Sequence, residues 1–177
     1  MPREQSLAEI ALVGDLTDNQ NDLCQRLLEV PARGKCLLYF DSPGGSPYTA
    51  TALASLILLR GIEATGIVAG ECSSAALWPL AACKRRLVTR YSVLLFHRMR
   101  WQSEENVGLG EAAEWARHFG QLERDMDQWL AEMFGFPAER IESWVREGRY
   151  VSGAELAEAG LAELVPLAAL PVLKRFR

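Results

Sequence analysis

The chain has 177 residues, of which 49% are hydrophobic and 24% are charged, so its composition is that of a folded globular protein and not of a disordered or fibrous one. The net charge is −4 and there is no long basic run, so the sequence offers no evident positive surface that could bind the phosphate backbone of a nucleic acid. The N-terminus has no apolar secretion signal, and no apolar stretch reaches the ~18–20 residues of a membrane span. We therefore expect a soluble cytoplasmic protein that binds neither nucleic acid nor membrane.

Short apolar runs alternate with helical patterns along the first hundred residues. Runs that end at glycine or polar residues predict strands over 10–13, 36–40, 64–69 and 91–97. The spacing of leucine and alanine between them predicts helices over about 18–33, 48–60 and 73–82. Strands that alternate with helices favour an α/β fold with a parallel sheet and crossover helices.

The second half of the chain has a different pattern. Residues 98–107 are polar, and 111–134 predict one long amphipathic helix, with shorter helices over 137–145 and 153–159. No repeat and no long linker interrupts the chain, so we expect a single domain, 1–177. Its head would comprise about 1–97 and 137–177, and its helical extension about 98–136.

The cysteines and histidines point away from a metal site. The four cysteines, at 24, 36, 72 and 83, lack metal-ligand spacing, and there are only two histidines. The sequence therefore predicts reduced, buried thiols and no bound metal.

Three segments that could carry chemistry follow predicted strands, where open α/β sheets bind ligands. Gly44 and Gly45 form either a plain turn or a loop whose N–H groups point outward, towards an oxyanion or an extended peptide. A serine at 73 or 74 precedes an apolar helix, where it would either react beside the helix N–H groups or only cap the helix. Both hold together if Ser73 caps the helix and Ser74 reacts. His97 is either a structural residue or the base of a serine hydroxyl.

With these segments in this order, the chain resembles the Clp protease proteolytic subunit (ClpP) family of the ClpP/crotonase superfamily, as a divergent member over roughly residues 8–165. The motifs that carry the resemblance are Tyr39-Phe40-Asp41-Ser42-Pro43-Gly44-Gly45-Ser46, Gly70-Glu71-Cys72-Ser73-Ser74, Ser92-Val93-Leu94-Leu95-Phe96-His97 and the segment from Arg149 to Leu161. The resemblance implies a ClpP/crotonase-like fold in which the long helix is a protruding handle.

The same resemblance implies site residues and partners. Ser74 would be the nucleophile, His97 the general base, and the N–H groups of Gly45 and Ala75 the oxyanion hole of a serine-type endopeptidase. Its substrates would be unfolded polypeptides or peptides, cleaved inside a homo-oligomeric ring. The family binds no cofactor directly, and ATP enters only through an AAA+ unfoldase partner.

This sequence departs from the family at the position of the triad aspartate. Just before Arg149-Tyr150 stands Gly148, which has no side chain. The adjacent Glu147 is the candidate third member, with Asp125 and Asp127 on the long helix as further candidates. If none of these orients His97, the site is a Ser–His dyad.

Two other functions stay open at this point. The lost acid suits a catalytically weak or inactive ring subunit, whereas a crotonase-type acyl-CoA enzyme would share the superfamily without needing Ser74 or His97. Residues 98–107 lack the glycine-rich strand that the family uses to pair rings, which leaves single or double rings open.

Overall fold

The computed structural model describes residues 7–103 and 106–167. Its strands are β1 (Ala8–Asp15), β2 (Lys35–Gly44), β3 (Glu63–Ser73), β4 (Arg85–Val88), β5 (Val93–Phe96), β6 (Arg149–Ser152) and β7 (Glu163–Leu164). Its helices are α1 (Gln20–Glu29), α2 (Pro47–Leu59), α3 (Leu77–Ala81), α4 (Leu109–Phe134), α5 (Ala138–Glu147) and α6 (Gly153–Glu158). A 3-10 turn, Ser74–Ala76, links β3 to α3.

The described residues divide into two compact units. The first runs up to Leu95 and resumes at Tyr150, and the second extends from Phe96 to Arg149. That the whole chain acts as a single domain stays a prediction.

The first unit is built on a parallel sheet. Its strand order is β1-β2-β3-β4-β7, with β5 paired to β3 and to β6. β3 changes partner along its length, because Thr65–Val68 pair with β4 whereas Glu71–Ser73 pair with β5. All the pairings with a defined register are parallel, which confirms the predicted α/β class.

Apolar side chains of β2 and of the helices that follow it make the core of the first unit. The largest that are fully buried there include Leu38, Phe40, Leu53, Ile57, Leu77 and Leu80. Each such side chain contributes about 1.5–3 kcal/mol when it is removed from water. This packing stabilises the part of the sheet that leads to the ends of β2 and β3, where the candidate site lies.

The second unit is helical, and α4 is the long helix that the sequence predicts. Its last turns are buried, through Met126, Leu130, Ala131 and Phe134, and α4 packs on α5. The ring of Trp144 on α5 contacts Phe96 edge to face, with ring centroids 5.1 Å apart. No helix within the described residues is both long and apolar enough to cross a membrane.

The helix predicted over 73–82 is wrong in its first half. β3 continues through Ser73, and the regular helix begins only at Leu77. Ser74 has a φ of 53°, which a right-handed helix excludes, so the helix cannot start before it. Three short strands, β4, β6 and β7, were not predicted, because unlike β5 they do not lie in a longer apolar run that would reveal them.

Candidate active site

The loop that contains the glycine pair is held by the end of β1. Ser42 donates a hydrogen bond to the carbonyl of Gly14 (2.6 Å) and accepts one from the N–H of Gly44 (3.1 Å). The carbonyl of Gly44 in turn accepts from the N–H of Leu16 (2.8 Å). These contacts fix the backbone on the N-terminal side of Gly45.

The other side of the loop is fixed by Thr17. Its hydroxyl accepts a hydrogen bond from the N–H of Ser46 (2.7 Å), and its own N–H donates to the carboxylate of Asp15 (2.8 Å). The loop is thus clamped on both sides of Gly45. An oxyanion donor needs such preorganisation, because a donor that must be reoriented during the reaction loses most of its benefit.

Both glycines are required by their surroundings. Gly44 has a φ of 110°, and a Cβ on it would lie 2.8 Å from the Cβ of Ser74 and 2.9 Å from the nitrogen of Ala75. Gly45 has a φ of 148°, and its Cβ would lie 2.5 Å from a carboxylate oxygen of Asp15. Glycine therefore lets the loop lie directly against the Ser74–Ala75 backbone.

The N–H groups of Gly45 and Ala75 are the candidate oxyanion donors. None of the hydrogen bonds that the described residues form outside regular helices and strands has either group as its donor. An oxyanion hole needs preorganised donors of this kind. The family resemblance implies these two residues, and in the structure Gly44, which precedes Gly45, lies directly against the Ser74–Ala75 backbone.

Ser74 lies at the turn between β3 and the apolar helix. Its φ of 53° is rare for a residue with a side chain and costs about 1–3 kcal/mol, a strain that is typical of functional sites. Its neighbour Ser73 is extended, and only 1% of its surface is exposed. The expected capping role of Ser73 is wrong, since its hydroxyl is buried without a hydrogen-bond partner among the described residues.

Cys72 is the third side chain of this segment that could act as a nucleophile. It is fully buried, its thiol donates to the carbonyl of Ala76 (3.3 Å), and burial raises its pKa. A thiol in such surroundings is inert, because only the thiolate reacts. Of residues 72–74, Ser74 alone is both nucleophilic and partly exposed.

His97 belongs to the second unit and follows β5. Within the first unit, Leu95 of β5 is paired with Ser73 of β3, and β5 ends at Phe96, one residue before His97. The His97 ring is half-buried, and its Nδ1 lies 2.7 Å from the carbonyl oxygen of Arg98. Because a carbonyl only accepts hydrogen bonds, Nδ1 must carry the proton, which leaves the lone pair on Nε2 in the neutral ring.

Glu147, the candidate third member of the catalytic triad, forms its hydrogen bond within its own helix. Glu147 is the exposed last residue of α5 and accepts a hydrogen bond from Ser143 (3.4 Å). Gly148 then ends α5 in the left-handed conformation, with a φ of 67°. Within the described residues no carboxylate is hydrogen-bonded to His97, so the role of Glu147 as triad acid stays a prediction.

Sequence reasoning missed one acidic residue of this region, Glu123 of α4. One of its carboxylate oxygens accepts from the N–H of Met99 (3.0 Å) and the other from the guanidinium of Arg98 (3.2 Å). Its side chain is only 19% exposed. No local spacing could have revealed it, because 24 residues separate Glu123 from Met99.

Asp127 lies one turn further along α4. Burial, together with the negative charge of Glu123, raises the pKa of Asp127 to about 7, and the nearby Arg98 offsets part of this rise. Asp125 is exposed and accepts from Gln121 instead (2.7 Å). In the described part of the chain, no three acidic, cysteine or histidine side chains come together in a group that could hold a metal.

Comparisons with known proteins agree with the resemblance seen in the motifs. A family model described as Clp protease matches residues 6–167. The ATP-dependent Clp protease proteolytic subunit 1 of Mycobacterium leprae (strain TN) is 27% identical over 168 residues, which cover 90% of this chain and 83% of that protein. The protein of the same name from Mycobacterium tuberculosis (strain ATCC 25618 / H37Rv) is 26% identical over 148 residues, covering 81% and 73%.

Proposed function

The chain belongs to the Clp protease family, and from this premise we propose that it is a serine endopeptidase that cleaves unfolded polypeptides or peptides. The observation that carries the proposal is the contact between the clamped glycine loop and the Ser74–Ala75 backbone. It places the segment that carries the Ser74 hydroxyl against the loop that carries the Gly45 N–H, an arrangement that suits acyl transfer.

In the proposed reaction the Oγ of Ser74 attacks the carbonyl carbon of the scissile peptide bond. The Nε2 of His97 takes the hydroxyl proton, and the N–H groups of Gly45 and Ala75 stabilise the negative charge on the carbonyl oxygen. His97 then gives its proton to the departing amine, which breaks the peptide bond and leaves an ester on Ser74. Water, deprotonated by His97, hydrolyses that ester and restores the hydroxyl.

In this proposal His97 is oriented by the backbone and not by a directly bound carboxylate. The hydrogen bond from Nδ1 to the carbonyl of Arg98 favours the tautomer whose Nε2 can accept the proton of Ser74. The pairing of Ser73 with Leu95 supports the approach of the two side chains. The catalytic unit is therefore proposed as a Ser–His dyad, with Gly148 at the place of the family's acid.

The proposal extends to assembly and location. Relatives named ATP-dependent Clp protease proteolytic subunits support a homo-oligomeric ring that receives unfolded chains from an ATP-hydrolysing AAA+ unfoldase. ATP would act only through the partner, no cofactor would bind this chain, and the ring would be cytoplasmic.

One observation favours a second candidate, a weakly active or inactive ring subunit. No carboxylate is hydrogen-bonded to His97 among the described residues, and loss of the orienting aspartate slows serine proteases about 10⁴-fold. The two candidates differ in how fast Ser74 reacts.

Labelling with a fluorophosphonate probe separates these candidates. We expect the wild type to be labelled and to cleave a fluorogenic peptide, and Ser74→Ala to lose both activities while its thermal unfolding stays cooperative. Ser73→Ala is the matched control, because the Ser73 hydroxyl is buried and unpartnered, so its removal should leave labelling unchanged. Labelling of Ser74→Ala at the wild-type rate would refute the nucleophile assignment, and an unlabelled wild type would favour the inactive subunit.

A further inference from the structure

A single peptide unit connects His97 to the carboxylate of Glu123. This is the peptide bond between Arg98 and Met99. Its carbonyl accepts the hydrogen bond from Nδ1 of His97 (2.7 Å), and its N–H donates to Oε1 of Glu123 (3.0 Å). All four residues lie in the second unit, so the chain of hydrogen bonds is internal to one compact body.

We propose that Glu123 is the positioning residue of His97, and that its negative charge acts through this peptide unit in place of a directly bound triad carboxylate. The inference rests on the proposed peptidase function for its consequence, because positioning His97 matters only if His97 acts as a base. It accounts for the absence of a side chain at position 148.

The physical reason is that hydrogen bonds in a chain polarise one another. A carboxylate that accepts from the Met99 N–H draws the proton towards itself, so electron density moves to the carbonyl oxygen at the other end of the same peptide. That oxygen then binds the Nδ1–H of His97 more strongly, by about 10–30% per bond. The effect increases when His97 becomes positively charged in the transition state, but it is weaker than that of a carboxylate in direct contact.

The second contact of Glu123 restricts the position of the peptide. Its other oxygen accepts from the guanidinium of Arg98, so both the side chain of Arg98 and the amide that follows it bind one carboxylate. The Glu123 side chain is largely removed from solvent, which strengthens these bonds relative to a surface pair. Glu123 therefore fixes the orientation of the Arg98 carbonyl and also increases the negative partial charge on its oxygen.

Two substitutions separate orientation from charge. Glu123→Gln keeps an oxygen that can accept from Met99 but removes the charge, whereas Glu123→Ala removes both. Glu114→Gln is the control, since Glu114 lies on the same helix, is exposed and pairs with Arg117. We expect the rate of fluorophosphonate labelling to fall roughly two- to fivefold in Glu123→Gln and up to about a hundredfold in Glu123→Ala. In peptide cleavage, kcat should change more than KM.

The tautomer of His97 provides a readout that does not depend on activity. In protein labelled with ¹⁵N only at histidine, with His118→Gln used for assignment, we expect the Nδ1–H form of His97 in the wild type at pH 8.5. Glu123→Ala should show a mixture of the two neutral forms. Glu123→Gln should retain the Nδ1–H form, since it keeps the acceptor.

The outcomes distinguish the inference from the function on which it rests. Wild-type tautomer and wild-type labelling in both Glu123 variants would overturn the inference and leave the peptidase proposal intact. An unlabelled wild type whose His97 tautomer still responds to Glu123→Ala would refute the peptidase instead. Equal effects of Glu114→Gln and Glu123→Gln would mean that the helix charge acts nonspecifically, and would also overturn the inference.

Discussion

Positive φ angles occur at four residues that bear on the candidate chemistry. Gly44, Gly45, Ser74 and Gly148 all have φ values between 53° and 148°. At Gly44 and Gly45 this conformation lets other parts of the chain pack closely against the loop, and at Gly148 it ends α5. Ser74 adopts the same conformation although it has a side chain. The sequence indicated the glycine pair and Ser74 through their place after predicted strands, but φ values depend on packing and could not be predicted.

Position 148 allows the missing acid to be tested directly. Gly148 is in the left-handed conformation, which Asp and Asn tolerate better than most residues, and a Cβ on it meets nothing within 4 Å. We expect Gly148→Asp to fold at a cost of about 1 kcal/mol and to raise kcat/KM at least tenfold, because a carboxylate would stabilise the His97 imidazolium.

Gly148→Asn is the control for that experiment, since it imposes the same backbone strain without a charge. Steady-state cleavage of a fluorogenic peptide measures both variants. If Gly148→Asp were no faster than Gly148→Asn, the absence of a carboxylate at this position would not limit the reaction.

At the scale of elements, the end of β1 positions the glycine loop. Thr17→Val removes the acceptor of the Ser46 N–H while keeping the volume of the side chain. Because the loop then loses one of its clamps, we expect labelling of Ser74 to slow about three- to tenfold, with a destabilisation of about 1 kcal/mol or less.

The matched control for this prediction is Thr51→Val on α2, whose hydroxyl donates to the carbonyl of Tyr48 (2.9 Å) outside the loop. Labelling rates and urea unfolding of both variants should be compared. A Thr17→Val protein that reacts as fast as Thr51→Val would show that the loop needs no support from β1.

The long elements were predictable and the short ones were not. The 26-residue α4 and the strands β2 and β3 have apolar patterns that are long enough to be recognised in the sequence. The strand boundaries were less accurate, since β2 and β3 both extend into the polar loops that carry Gly44 and Ser73. Glu123 could not be found at all, because only the fold brings α4 beside the Arg98–Met99 peptide.

At the scale of the whole molecule, stability should depend on the protonation of Asp127. Its folded pKa of about 7 lies above the ~3.9 of an unfolded aspartate, so the folded state binds the proton more tightly. The stabilisation that protonated Asp127 contributes is therefore fully present below about pH 4, and it is lost as the pH rises from about 4 to 7. Asp127→Asn cannot lose a proton, so we expect it to be more stable than the wild type at pH 8, by roughly 1–2 kcal/mol for a partly buried carboxyl.

Urea unfolding at pH 5 and pH 8 measures this difference, with Asp125→Asn, exposed on the same helix, as the control. The advantage of Asp127→Asn should be larger at pH 8 than at pH 5. An advantage of equal size at both values would mean that Asp127 does not titrate between them.

The conformation of Ser74 also bears on how this protein can change over generations. Selection for thermodynamic robustness alone would replace that serine with glycine, which adopts the same backbone at no steric penalty. In a lineage that no longer needs a reactive hydroxyl, a single change of Ser74 to glycine would therefore give a more stable but inactive subunit. We expect the loss of activity to begin at this position.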